Sequence, residues 1–93
     1  SADRALVEMY LMRICEQVIL SYIHDNRGDL PVSPEDKTII VRYYKCQCFG
    51  MIIDWLNSDM RFDIAAEARR MYELRKGMPE EIVRRASMQR SKA

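Results

Sequence analysis

Glycine, proline and histidine are scarce in this sequence of 93 residues, numbering three, three and one. So few helix breakers leave little to interrupt long helices, and no alternation of polar and apolar residues is long enough to suggest a strand. No stretch approaches the roughly 18 uninterrupted apolar residues of a membrane span. Arg13, Glu16 and Gln17 break the first apolar segment, and Gln47 and Asp54 break the second, so no membrane partner is expected. The phosphate-cradling patterns G-x-x-x-x-G-K-[ST] and G-x-G-x-x-G are absent, which removes the usual nucleotide sites. The chain does not open on a basic stretch followed by an apolar core and a small-residue cleavage site, so no secretory leader is expected. If Ser1-Ala2 is a cloning remnant, the sequence is expected to be an excised piece of a longer protein.

Chemistry-bearing residues are equally thin. Cys15, Cys46 and Cys48 are odd in number and lie in apolar helical patterns, which suits reduced core thiols in a cytoplasmic protein better than a disulfide framework. Cys46 and Cys48, two residues apart on a helix, point about 200° from one another and cannot share one ion. No second Cys/His cluster completes a site, so neither metal nor cofactor is expected. His24 falls at a helix end, where its positive form favours the dipole. Ser21, Ser33 and Ser58 have no base in local register and read as turn and cap residues. The chain is expected not to be an enzyme.

What is present is helix. Hydrophobic residues make up 48% and charged residues 31% of the chain, a globular balance. Val7, Leu11, Ile14, Cys15, Val18 and Tyr22 recur at helical spacing and predict a first helix over about 3–24 with one broad apolar side. Gly28 ends it and Pro31 keeps it from resuming. Ser33-Pro34-Glu35-Asp36 predicts the next start: a hydroxyl acceptor for a free N–H, a proline that wastes no donor, and acids at the positive end of the dipole. That helix runs to about residue 59. Asp63 caps a third over 64–76, terminated at Gly77, and Pro79-Glu80-Glu81 opens a short fourth over 79–88, with fraying from Ser87 onward. The predicted fold is all-α, an antiparallel bundle of three to four helices forming one domain.

The second helix carries more apolar surface than a chain this short can cover. Ile40, Tyr44, Cys48, Met51 and Trp55 fall on one side, Ile39, Tyr43, Cys46, Gly50 and Ile53 on another, and Phe49, Ile52 and Leu56 add a third sector. A helix apolar nearly all round is a buried helix, and a homodimer is the simplest source of the missing cover. The third helix adds an apolar face of Ile64, Ala68, Met71 and Tyr72. Tyr22, Tyr44, Met51 and Trp55, soft or aromatic and on stripes able to face the first helix, are candidates for lining a pocket for a small apolar or amphiphilic effector, against the plainer reading of core packing.

Charge is divided unevenly. Residues 1–68 hold seven basic and eleven acidic side chains, residues 69–93 eight basic and three acidic. Arg69, Arg70, Arg75 and Lys76 alternate with Glu67 and Glu73 and read as a solvated helix face rather than a nucleic-acid patch.

The run Arg42–Met60, RYYKCQCFGMIIDWLNSDM, has an aromatic pair, a small residue near its middle and an aliphatic stretch into Trp-Leu before a polar turn. With the preceding YIHDNRGDLPVSPED it resembles the C-terminal domain of TetR-like bacterial transcriptional regulators, in particular the subgroup of dihydroxyacetone-kinase regulators. The resemblance spans about 70 residues and includes no invariant catalytic signature. It implies a cytoplasmic regulator whose N-terminal helix-turn-helix binds operator DNA and whose C-terminal helices sense an effector and dimerise through a four-helix interface. On this sequence the interface helices are those holding Tyr43–Leu56 and Ile64–Tyr72, with Gly50 suited to a close crossing of backbones. No helix-turn-helix precedes the first helix, so DNA binding is expected only through a missing N-terminal domain, and an effector pocket that draws on upstream helices is expected to be incomplete.

Overall fold

In the computed structural model, which describes residues 2–27 and 30–92, four helices follow one another: α1 (Ala2–Arg27), α2 (Pro34–Asn57), α3 (Ile64–Leu74) and α4 (Met78–Lys92). There is no strand among the described residues, and the fold is all-α. The helix boundaries follow local chemistry. Ser33, in extended backbone, accepts the Asp36 N–H through its hydroxyl at 3.1 Å, and Pro34 occupies the first turn of α2. Asp63 does the same for α3, accepting from the Ala66 N–H at 2.9 Å. Gly77, at φ +90, turns the chain from α3 into α4. Gly28 and Asp29, where the sequence puts the end of the first helix, lie outside the described residues.

Two elements run differently from expectation. α1 continues to Arg27, and α4 stays helical to Lys92 where the polar tail was expected to fray from Ser87. At the start of α4, Glu81 accepts from Arg84 Nε at 2.8 Å and Arg85 Nε at 3.0 Å, one turn further on. Those hydrogen bonds hold the Glu81 carboxyl down to about 2, and pairs at this spacing support a helix with little tertiary cover.

α1 and α2 pack antiparallel. Moving along α1 from Cys15 to Leu20, its neighbours on α2 run backward from Cys48 through Lys45 to Val41 and Lys37. Only Cys15, Ile23 and Val41 are buried among the described residues, and all three lie in this seam. The single stripe foreseen on α1 is therefore divided. Leu11, Cys15, Ile19 and Ile23, four residues apart, turn inward, whereas Val7, Ile14, Val18 and Tyr22 are exposed on another side. α2, expected to be covered nearly all round, buries only Val41 within one chain.

α2 ends without a glycine. Met60 N–H reaches back to Trp55 C=O at 2.8 Å, closing the helix through Asp59 and Met60, both at φ 58. The left-handed region disfavours side-chain-bearing residues. Replacing the exposed Asp59 by glycine (Asp59→Gly) is expected to raise unfolding stability by roughly 0.5 to 1 kcal/mol. Urea unfolding measures it, and an unchanged or lower midpoint is the contrary result.

Candidate functional site

Among the described residues, three local arrangements bear on a candidate site. In the α1–α2 seam, Lys45 Nζ donates to Glu16 Oε2 at 2.7 Å, both partly shielded, and fixes the register of the two helices. Beside it Cys15 is only 1% exposed. Burial, with a smaller contribution from the facing Cys48, pushes the Cys15 thiol up to about 11, because a thiolate there would lose its hydration.

Between α2 and α3, Arg75 closes the end of α3 and reaches across to α2. Its Nη2 donates to the Tyr44 hydroxyl at 2.7 Å and its Nη1 to Gln47 Oε1 at 3.1 Å, with the guanidinium carbon 4.8 Å from the centre of the Tyr44 ring. Arg75 is thus half-buried and tied to α2, which corrects its assignment to a solvated face. Its pairing with a residue 31 positions away had no local signal beyond a cation at a helix C-terminus. Further along, the Trp55 indole N–H donates to the Phe62 carbonyl at 3.0 Å, pinning the loop into α3.

The third feature is the open, shallow face of α1 that carries Tyr10, Arg13, Ile14, Gln17, Val18 and Tyr22, with no second element among the described residues enclosing it. Of the four candidate pocket residues, Tyr22 is on this face. Tyr44 is held by Arg75, Trp55 is held by the Phe62 carbonyl, and Met51 is half-buried. Tyr22 therefore lies on the open face of α1, whereas Tyr44 and Trp55 are engaged by the end of α3 and by the loop before it.

The candidate interface residues are mostly uncovered. Ile39, Tyr43, Cys46 and Gly50 on α2 and Ala68, Met71 and Tyr72 on α3 are exposed, Tyr43 at 71% and Tyr72 at 62%, while Ile53 and Ile64 are half-buried. A methyl group added at Gly50 would meet no atom of its own chain within 4 Å. His24 lies at the C-terminal end of α1, 3.3 Å from the Asp25 carboxylate, with both side chains open to solvent. Among the described residues no three His, Cys, Asp or Glu side chains converge as a metal site, and no helix is long and apolar enough to cross a membrane.

The helical frame, with a capped long α2 and a shorter α3 tied to it through Arg75, is the part of the chain on which the family comparison falls. Residues 1–77, from α1 through the turn after α3, match the family model of the transcriptional regulator C-terminal region, TetR type. The chain belongs to that family of regulator C-terminal domains. No curated protein and no solved structure matches it.

The thiols differ enough to be separated by reactivity. Exposed Cys46 is expected to alkylate at pH 7.5 at least about 100-fold faster than Cys15, whose proton is held by burial. The folded chain binds that proton more tightly than the unfolded chain. This contribution to stability is therefore complete below about pH 9 and falls away as pH rises toward 11. Peptide mapping after timed iodoacetamide treatment reads the rates, and equal labelling of Cys15 and Cys46 in the native chain is the adverse result.

Proposed function

We propose that this domain holds two regulator subunits together through α2 and α3 and passes effector occupancy to an N-terminal helix-turn-helix that binds operator DNA. The observation that carries the dimer is surface area. A compact folded chain of 11.0 kDa exposes about 5,600 Å², whereas this one exposes 7359 Å². The excess, roughly 1,700 Å², is about twice what one partner contributes to an interface of standard size. The radius of gyration tells the same story, at 15.5 Å against about 12 Å for a compact chain of this length.

Where the uncovered surface lies supports α2 and α3 as the paired faces. Ile39, Tyr43, Cys46, Gly50 and Ile53 form one line along α2, and Ile64, Ala68, Met71 and Tyr72 a second along α3. Two such lines per subunit make a four-helix interface. The missing side chain at Gly50 lets a partner backbone approach closely, although glycine inside a helix costs about 0.8 to 1 kcal/mol relative to alanine. The kinship to dihydroxyacetone-kinase regulators rests on the run through Tyr43, Gly50 and Trp55 to Met60.

An effector acts on such a dimer only if it binds one arrangement of the DNA-binding heads better than the other. A small apolar or amphiphilic compound suits Tyr22 and the open α1 face, with Tyr44, Met51 and Trp55 answering through the α2–α3 contacts. A second reading is a helical protein–protein interaction module without a small ligand. It is favoured by the polar ends of Tyr44 and Trp55, which are already engaged by Arg75 and Phe62.

Sedimentation velocity at micromolar concentration is expected to give a dimer, and Gly50→Leu to weaken it at least about tenfold, the effect of losing some 1.4 kcal/mol of binding. A monomer at tens of micromolar, or a Gly50→Leu chain that dimerises as well as the parent, would remove this reading. Ligand sensing has its own check. Trp55 fluorescence is expected to shift with some member of a broad panel of apolar and amphiphilic compounds, and a silent panel favours the interaction module.

A further inference from the structure

Cys15 and Cys48 face one another across the α1–α2 seam, and nothing in the regulator function described above uses them. Their opposition follows from the register rather than from sulfur chemistry alone. Glu16 and Lys45 are joined at 2.7 Å, and α1 and α2 run in opposite directions. Stepping one residue back from Glu16 and three on from Lys45 leaves Cys15 and Cys48 offset along the seam by only two residues, about 3 Å, and their thiols are in contact. Both lie on seam faces. Cys15 shares one with Ile23 two turns along α1, and Cys48 shares the other with Val41 two turns back on α2.

Packed helices have axes about 8 to 10 Å apart, and their Cα atoms sit about 2.3 Å from each axis. Directly opposed Cα atoms are then about 3.4 to 5.4 Å apart, and the axial offset of about 3 Å carries Cys15 and Cys48 to about 4.5 to 6.2 Å, inside the range of about 4.4 to 6.8 Å that a disulfide requires. Cys46 is excluded from this pairing. It sits two residues before Cys48, about 200° round the helix, and is exposed on the other side of α2.

We propose that Cys15 and Cys48 constitute an oxidation site, at which hydrogen peroxide or a similar hydroperoxide converts two facing thiols into a disulfide that clasps α1 to α2. Cys48, half-buried, is the point of entry, and Cys15, sealed in the core, is the resolving thiol. The Cys48 thiol gives its proton to water, and its sulfur attacks one peroxide oxygen. The O–O bond breaks and the second oxygen leaves as hydroxide, which takes up that proton to become water. Cys48 is then a sulfenic acid. The Cys15 sulfur attacks the Cys48 sulfur, the S–O bond breaks, and the hydroxyl leaves as water with the Cys15 proton. Two thiols lose two electrons and one peroxide becomes two waters.

The product carries no charge, so burial opposes only the transient thiolate and not the disulfide itself. Burial of Cys15 makes the reaction slow and confines it to a partner already in contact, which favours an intramolecular product. The clasp joins positions 33 residues apart in sequence, a loop long enough for the link to restrain the unfolded chain strongly.

The test uses the whole chain, treated with hydrogen peroxide, quenched with an alkylating agent and mapped by mass spectrometry without reduction. The expected product is a Cys15–Cys48 linked peptide lighter by two hydrogens, with Cys46 alkylated. Its midpoint of thermal unfolding is expected to rise by on the order of 10 °C and to return on adding dithiothreitol. Cys46→Ser keeps the link, and Cys48→Ser leaves Cys15 a thiol. The proposal is overturned if oxidation yields only Cys46-linked dimers or a sulfinic acid at Cys48 while Cys15 stays reduced. It is equally overturned if the Cys15–Cys48 link forms only after the chain has been unfolded.

Discussion

The antiparallel seam between α1 and α2 is the constraint on which the rest of the molecule depends. It contains the buried side chains described here, Cys15, Ile23 and Val41, and the Glu16–Lys45 bridge that sets how the two helices slide against each other. A cross-helix bond of 2.7 Å between partly shielded groups is worth more for register than for net stability, since desolvation offsets much of its attraction. Everything else is attached to one side of this pair. Arg75 and Trp55 fasten α3 to α2, and α4 is supported chiefly by its own ion pairs at Glu81.

A two-helix seam cannot hide the apolar residues that these helices carry. Among the described residues α1 packs chiefly on α2, and α2 meets chiefly α1 and the shorter α3, which leaves the open line through Tyr43 and Gly50 on α2 and the separate exposed side of α1 at Tyr10, Ile14 and Val18. Contiguous exposed apolar faces of this kind are the surfaces on which proteins commonly meet partners. The side of α2 that faces α1 is occupied. The side that bears Gly50 is open, with no atom of the same chain within 4 Å of an added methyl group.

The local grammar of the chain is plain from its residues. Ser33-Pro34 and Asp63 start helices where their capping chemistry requires, and Gly77 takes the positive φ that the turn into α4 needs. The turn at Asp59 and Met60 was less legible, because two side-chain-bearing residues stand in a conformation usually marked by glycine. Helix α4 outlasted its polar composition because pairing at i+3 and i+4 adds support along its exposed side. Of the candidate pocket, composition suggested the members but not their neighbours. Tyr22 belongs to the open face of α1, while Tyr44 is committed to Arg75, a partner 31 residues away.

Periodicity, caps and breakers are short-range properties, and by themselves they determined that this protein is four helices with an apolar surplus on the second. They also carried the likeness to regulator C-terminal domains, since that likeness is a pattern of helix faces. Which faces meet was decided only in the tertiary structure. A helix sequence states how much apolar surface it has, but the direction in which that surface points is settled by the register between helices. That register rests on contacts such as Glu16–Lys45 and Arg75–Tyr44, whose partners are far apart along the chain.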